Sequence, residues 1–201
     1  MFELIYPDEP APLVPAPDAA SAVERLNPST AFRAKEFFPV IDEGGFVTGM
    51  AARAYCHSGA KVLHPVVHLH VMDRYGRLWL QKRSERKDIQ PGKWDTAVGG
   101  HVDYGESIIE ALYREAGEEL GFTGFNPIYV DRYVFESDVE KEMINVFVAI
   151  GDFKLHPDED EVDEIRLWTR QEIEESFGKS VFTPNFEKEF VRIIDKLTAL
   201  L

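Results

Sequence analysis

The chain has 201 residues, a formal net charge of -14 at neutral pH and a single cysteine, Cys56. That length suits one domain with an extension and can bury roughly 70% of its extended surface, enough for a proper core. The acidic balance excludes a general nucleic-acid binder. One cysteine excludes an internal disulfide and fits a reducing cytoplasm.

The N-terminus, MFELIYPDEP, is acidic and has no continuous apolar run, so no signal peptide is expected. No later apolar run reaches the length of a membrane span. Residues 1–34 form a separate zone. Pro7, Pro10, Pro12, Pro15 and Pro17 interrupt regular structure there. The zone reads as an extended arm that packs on the domain or on a partner subunit, or as a partly disordered one. Residues 35–201 read as the folded domain.

From Phe37 the pattern becomes β-like. Phe38 to Ile41 and Phe46 to Thr48 flank Asp42-Glu43-Gly44-Gly45 and predict a hairpin. His64 to Val71 and Leu78 to Lys82 form a second strand pair across Asp73-Arg74-Tyr75-Gly76. Trp94 to Val98 predicts another strand. After it, Ser107-Ile108-Ile109-Glu110 has the form of a helix capping box. Ile108, Leu112, Ala116 and Leu120 recur every four residues, so one stripe of this helix faces a core. Phe125 to Phe135 and Met143 to Ile150 predict a further hairpin, and Val162 to Leu167 a short strand. Thr169 to Phe177 and Thr183 to Leu201 read as helices. The sum is an α/β (α+β) chain with a mixed sheet.

The capped helix carries the chemistry. At about 100° per residue, Glu115, Glu118 and Glu119 fall within about 100° of one another beside the apolar stripe. Like charges at helical-neighbour spacing repel. Three such carboxylates at a partly buried helix end call for a cation. Hard divalent ions such as Mg2+ prefer oxygen ligands and bind through a few carboxylates plus substrate phosphates. The competing reading is a solvated acidic helix face.

Gly100, Glu106, Arg114-Glu115, Glu118-Glu119 and Gly121 stand at the spacing glycine-x5-glutamate-x7-arginine-glutamate-apolar-x-glutamate-glutamate-x-glycine-apolar. Seven positions fixed by identity recur by chance roughly once in 10^8 starting points. In this the chain resembles the Nudix family. The resemblance implies an α/β/α sandwich and metal-dependent hydrolysis of diphosphates. It implies that Glu115, Glu118 and Glu119, with the Gly100 carbonyl, ligate Mg2+ (or Mn2+), and that Glu106 and Arg114 form an ion pair. Glu118 or Glu119 would serve as general base, unless a later carboxylate (Glu159, Asp160, Glu161 or Glu164) does so. Lys82 and Arg83 are candidates to meet substrate phosphates, or ordinary surface charges.

A narrower resemblance runs from about residue 38 to residue 190. Val40-Ile41-Asp42-Glu43, Cys56-His57, Val62-Leu63-His64, Leu80-Gln81-Lys82-Arg83-Ser84 and Phe182-Thr183-Pro184 look like isopentenyl diphosphate isomerase. That resemblance implies a second metal site at His57, His64, His101, Glu140 and Glu142, which would suit Mn2+, Zn2+ or Mg2+. The isomerase needs a cysteine acid where this chain has Gly99, and an aromatic where it has Asn185. The departures remove isomerase chemistry and leave the Nudix box complete.

The expected activity is therefore hydrolysis of a nucleoside diphosphate linked to another moiety, or of a related organic diphosphate. The alternatives are an isomerase-like enzyme and a non-catalytic ligand-sensing module. The expected partner is a small diphosphate, with a homodimer left open and no membrane or general nucleic-acid binding. Trp94, Tyr104, Tyr133, Phe135 and Trp168 are either stacking platforms for a base or core.

Overall fold

A computed structural model describes residues 3–8, 37–87 and 89–201. Its elements are β1 (Phe37–Ile41), β2 (Val47–Ala52), a short helix α1 (Arg53–Cys56), β3 (Leu63–Met72), β4 (Leu78–Arg83), β5 (Trp94–Asp95) and β6 (Val98–His101). The helix α2 (Ile108–Leu120) follows, then β7 (Ile128–Glu136), β8 (Lys141–Ile150), β9 (Val162–Trp168), α3 (Arg170–Ser176) and α4 (Pro184–Thr198). The larger sheet has the order β5-β4-β3-β8-β7, with β6 also on β3 and β9 also on β4. This mixed sheet with its helices is the expected α+β class. The other expected strands and helices are present, but the strand expected over Trp94 to Val98 is broken at Thr96-Ala97 into β5 and β6. β7 begins at Ile128 rather than Phe125, and α1 was not anticipated.

The chain divides into two compact units. The first takes the described part of residues 1–66 with 101–111 and 133–144. Here β1 and β2 pair antiparallel around a turn made by Asp42, whose carboxylate accepts the amides of Gly44 (2.8 Å) and Phe46 (3.0 Å). Gly45, at φ +90°, takes the left-handed position that glycine tolerates without cost. Ile41, Val47, Leu63 and Met143 form a small core, joined by Leu4, Tyr6 and Tyr104. The Tyr6 hydroxyl donates to the Glu106 carbonyl and accepts the Gly105 amide, both at 3.0 Å. Val47 donates its amide to the Ile5 carbonyl at 2.8 Å. Residues 3–8 of the expected arm thus pack on the domain itself, and residues 9–34 lie outside the described residues.

The second unit comprises residues 67–100, 112–132 and 145–201. β4 pairs along its length with β9, from Leu78↔Trp168 to Arg83↔Val162. Its core is filled by Leu69, Leu80, Leu112, Leu120, Ile173, Phe186 and Phe190, each at most 1% exposed. The β3–β4 turn is closed by Asp73, which accepts the amides of Tyr75 and Arg77 at 2.9 Å. Both C-terminal helices start as their sequences dictate. Thr169 and Glu172 make a reciprocal capping box, and the Thr183 hydroxyl accepts the Phe186 amide behind Pro184 at the first helical position.

Candidate active site

The apolar stripe of α2 is fully buried: Ile108, Leu112, Ala116 and Leu120 are at most 1% exposed. Its start is the expected capping box, with Glu110 N–H on Ser107 Oγ at 3.2 Å and Ser107 N–H on Glu110 Oε2 at 2.8 Å. Burying that stripe fixes the rotation of the helix, and β4 and β6 beside it set the depth of each carboxylate. Glu119 is buried (8% exposed), the Glu115 side chain is mostly covered and Glu118 is exposed.

Glu119 Oε2 accepts two hydrogen bonds, from Gln81 Nε2 on β4 at 3.0 Å and from the Gly99 amide on β6 at 3.2 Å. Burial and the neighbouring Glu115 push its carboxyl up to about 8, against opposing pulls from the Gly99 amide, Lys87 and Gln81. Gly100 lies directly against Glu115. A Cβ there would stand 2.0 Å from Glu115 Cδ and 2.2 Å from Oε1, so only glycine admits this approach. Arg114 Nη1 bridges Glu115 Oε1 (2.8 Å) and Glu118 Oε2 (3.2 Å). The Glu106 carboxylate accepts the Asp103 amide at 3.1 Å.

The segment after β8 returns to this helix end. The amides of His156 and Asp158 donate to the carbonyls of Leu120 (2.8 Å) and Glu119 (2.9 Å). Its acidic run is engaged by the segment after β4. Arg86 binds Asp160 Oδ1 at 3.0 Å and the Glu159 carbonyl at 2.7 Å, and Lys87 pairs with Glu161. Glu164 lies on β9 opposite Lys82. Arg83 is occupied locally, by the Ile89 carbonyl (3.2 Å) and Asp95 (3.7 Å). Sequence reasoning missed Gln81 and Lys87. Only the fold brings β4 and its following loop to Glu119, and neither residue carries a local signal.

The first unit holds a separate polar cluster. One ring nitrogen from each of His57, His64 and His101 lies within 4.8 Å of the others. The Nε2 atoms of His57 and His101 are 3.1 Å apart. Glu140 lies 3.5 Å from His57 Nε2, and Glu142 3.7 Å from His101 Nε2. His64 Nδ1 meets the Val62 carbonyl at 3.0 Å, and its buried Nε2 has no hydrogen-bond partner among the described residues. Phe38 stacks on His101 at 4.3 Å and on His64 at 5.6 Å. Burial, Arg53 and His64 push His57 down to about 4. Burial and Arg53 also lower His64, against the Val62 carbonyl. The five residues expected from the isomerase resemblance are therefore brought together. Phe38 and Arg53 were not foreseen.

Comparison with known proteins agrees with the helix. The NUDIX domain model matches residues 62–186. The chain belongs to the Nudix family, and it is a Nudix hydrolase. An uncharacterised Nudix hydrolase of Yersinia pestis is 32% identical over 69% of this chain and 75% of its own length. An isopentenyl-diphosphate Delta-isomerase of Streptomyces griseus is 31% identical over 73% and 78%. Among solved structures, a Deinococcus radiodurans protein superposes with TM-score 0.68 at 21% identity, covering 79% of this chain and 99% of that one. A MutT protein of Methanosarcina mazei gives 0.56 at 26%, covering 69% and 95%. These likenesses carry the fold of this Nudix hydrolase, the expected α/β/α sandwich. Nudix hydrolases generally use divalent metal ions and act on small diphosphates. Among the described residues, no helix is long and apolar enough to cross a membrane.

Proposed function

We propose that this Nudix hydrolase cleaves the diphosphate bond of a nucleoside diphosphate linked to another moiety, or of a related organic diphosphate, with Mg2+ or Mn2+ held at the end of α2. The observation that carries the reading is the approach of Gly100 to Glu115 beside a buried Glu119. A carboxyl pushed up to about 8 sits next to a second carboxylate in a space only glycine leaves open. That donor set suits a hard cation, which would restore the ionised form of Glu119.

Glu115, Glu118, Glu119 and the Gly100 carbonyl would hold the ion. Bound there, it supplies charge neutralisation at the diphosphate and acidifies water. The chain's own groups do the rest. Gln81 and the Gly99 amide aim Glu119. Arg114 fixes Glu115 against Glu118. Lys87, whose charge acts on Glu119, joins Lys82 and Arg83 as a candidate to meet a phosphoryl oxygen. Phosphoryl transfer needs this positioning and electrostatic support more than covalent help.

The histidine cluster supports a second metal, Mn2+, Zn2+ or Mg2+, on His57, His64, His101, Glu140 and Glu142. The unpartnered His64 Nε2 favours it, because a buried ring nitrogen without a partner is costly. Isomerase activity is opposed by Gly99 and Asn185. A sensor without catalysis would have no need of the full carboxylate set. We place the Nudix domain at residues 35–201, with 1–34 as its extension, in the cytoplasm, acting as a monomer or homodimer.

The test is release of phosphate or nucleoside monophosphate from ADP-ribose, NADH, CoA, nucleotide sugars, dinucleoside polyphosphates, NTPs and isopentenyl diphosphate. Each is run with Mg2+, Mn2+ or EDTA. Metal-dependent turnover of one class supports the reading. Turnover that survives EDTA, or none on any diphosphate, sinks it.

A further inference from the structure

β7 reads IYVDRYVFE and carries Ile128, Tyr129, Val130, Tyr133, Val134 and Phe135, yet none of its residues is buried. Its neighbour β8 is buried throughout residues 142–149. The difference follows from the sheet. β8 lies between β3 and β7, whereas β7 ends the strand order, with β8 its one strand partner among the described residues. An edge strand presents a row of backbone N–H and C=O groups that can template another strand. Proteins usually blunt such an edge with proline, with lysine or by keeping the strand very short. β7 has nine residues and contains neither proline nor lysine.

Charge decides what can pair there. Asp131 is engaged by Arg192 and Lys196 of α4, the latter at 2.8 Å. Beyond it, Arg132, Val134 and Glu136 share one face of the strand, and Tyr133 and Phe135 the other. Val134 is 43% exposed. The Glu136 carboxylate is half exposed and meets Lys61 and Lys141 only at 3.7 Å. A strand that extends its sheet by pairing antiparallel with a copy of itself does so about a two-fold axis normal to the sheet. That axis keeps each side chain on its face, so only residues an even number apart stand opposite each other. Like charges directly opposite destabilise a strand pair, while opposite charges and aromatic pairs stabilise it. An axis at Asp131 or Arg132 sets that charge against itself. An axis at Val130 or Tyr133 leaves Arg132 opposite Ile128 or Val134. An axis at Val134 places Arg132 opposite Glu136 and Tyr133 opposite Phe135, each pair twice, with Val134 opposite itself.

We propose that β7 is a docking edge for a second copy of this chain. It pairs antiparallel with the second copy's β7 over residues 132–136, with Val134 on the two-fold axis. The larger sheets of the two copies join into one, and the contact covers the backbone edge together with the exposed Val134. The self-complementary order of charge along the strand selects a second copy as the occupant, because the same five residues supply both members of every pair. The proposal does not depend on the reading of the carboxylates of α2.

Sedimentation velocity of the full chain over a concentration series tests this, with circular dichroism as the check on folding. The parent should reach the mass of a dimer at micromolar concentration. Arg132→Glu and Glu136→Arg each set like charges opposite in both cross-strand pairs, and each should weaken association about tenfold or more. Combining the two changes restores opposite charges and should restore the dimer. Val134→Lys, at an exposed position, should give a folded monomer. Hydrogen exchange supplies the second reading. The β7 amides that face away from β8 should be protected in the parent and exchange faster in Val134→Lys. A monomeric parent overturns the proposal, whether those amides exchange fast or are protected by another segment of the same chain. A dimer that survives Arg132→Glu, Glu136→Arg and Val134→Lys alike lies on another face and also overturns it. Failure of the combined variant to regain the dimer overturns the register centred on Val134.

Discussion

The carboxylate end of α2 and the histidine cluster of the first unit respond to burial in opposite directions. In both, desolvation disfavours the charged form. For Glu119 the charged form is the one that would bind the proposed cation, and burial pushes its carboxyl up to about 8. For His57 the neutral form is the one that would bind the proposed second metal, and burial with Arg53 pushes it down to about 4. The same physical effect opposes cation loading at the first site and prepares the second for it. The carboxylate site is accordingly supplied with donors, from Gln81 and the Gly99 amide. The histidine site is covered by Phe38 and left with an unsatisfied nitrogen.

The contrast can be broken most directly at Glu119. Glu119→Gln keeps the volume and removes the ligand charge. We expect kcat to fall on the order of a thousandfold, the scale of losing a preorganised electrostatic group, with no fall in melting temperature. A variant that keeps parental turnover would show that the buried carboxylate is scaffold. Gly100→Ala should act next most strongly. Its Cβ displaces the flexible end of Glu115, so the fold should persist by circular dichroism while Mn2+ affinity at this site falls about tenfold or more by calorimetry.

Proton release sharpens the comparison. At pH 7, Mg2+ binding should expel close to one proton from Glu119, seen as a dependence of the binding heat on buffer ionisation enthalpy. Zn2+ binding to the histidine cluster should expel almost none from His57. Equal release at both sites would erase the distinction. Stability should carry the same sign. The Glu119 carboxyl is raised from 4.5 to about 8 in the folded chain. Its contribution is therefore full below about pH 4.5 and lost as pH rises through 8. In EDTA this group alone lowers the melting temperature across that window, and Mg2+ should flatten the fall. The smallest effect serves as a control. Thr183→Ala removes the cap of α4 and should cost about 1 kcal/mol of stability by denaturant titration, without changing the metal affinity of either cluster.

Much of the carboxylate site was legible in the sequence because its spacing is local. The stripe Ile108, Leu112, Ala116 and Leu120, the Ser107–Glu110 cap and the three glutamates all lie within one helix, where a period of 3.6 residues relates sequence to face. Their different depths were not legible. Glu118 is exposed and Glu119 buried because of where β4 and β6 lie, and no helical pattern contains that. Gln81 and Lys87 escaped for the same reason, since their role depends on contacts across dozens of residues. The histidines were grouped by resemblance, not by any spacing of their own. Phe38, whose ring stacks against two of them, read simply as part of a hairpin strand.

The end of α2 has a further consequence. The amides of His156 and Asp158 terminate the helix at Leu120 and Glu119. A loop that closes a helix in this way cannot change length freely, since each inserted residue would withdraw a cap from the residue we propose as a cation ligand. A change of length between β8 and β9 is therefore expected to reach the carboxylates of α2 through the backbone itself.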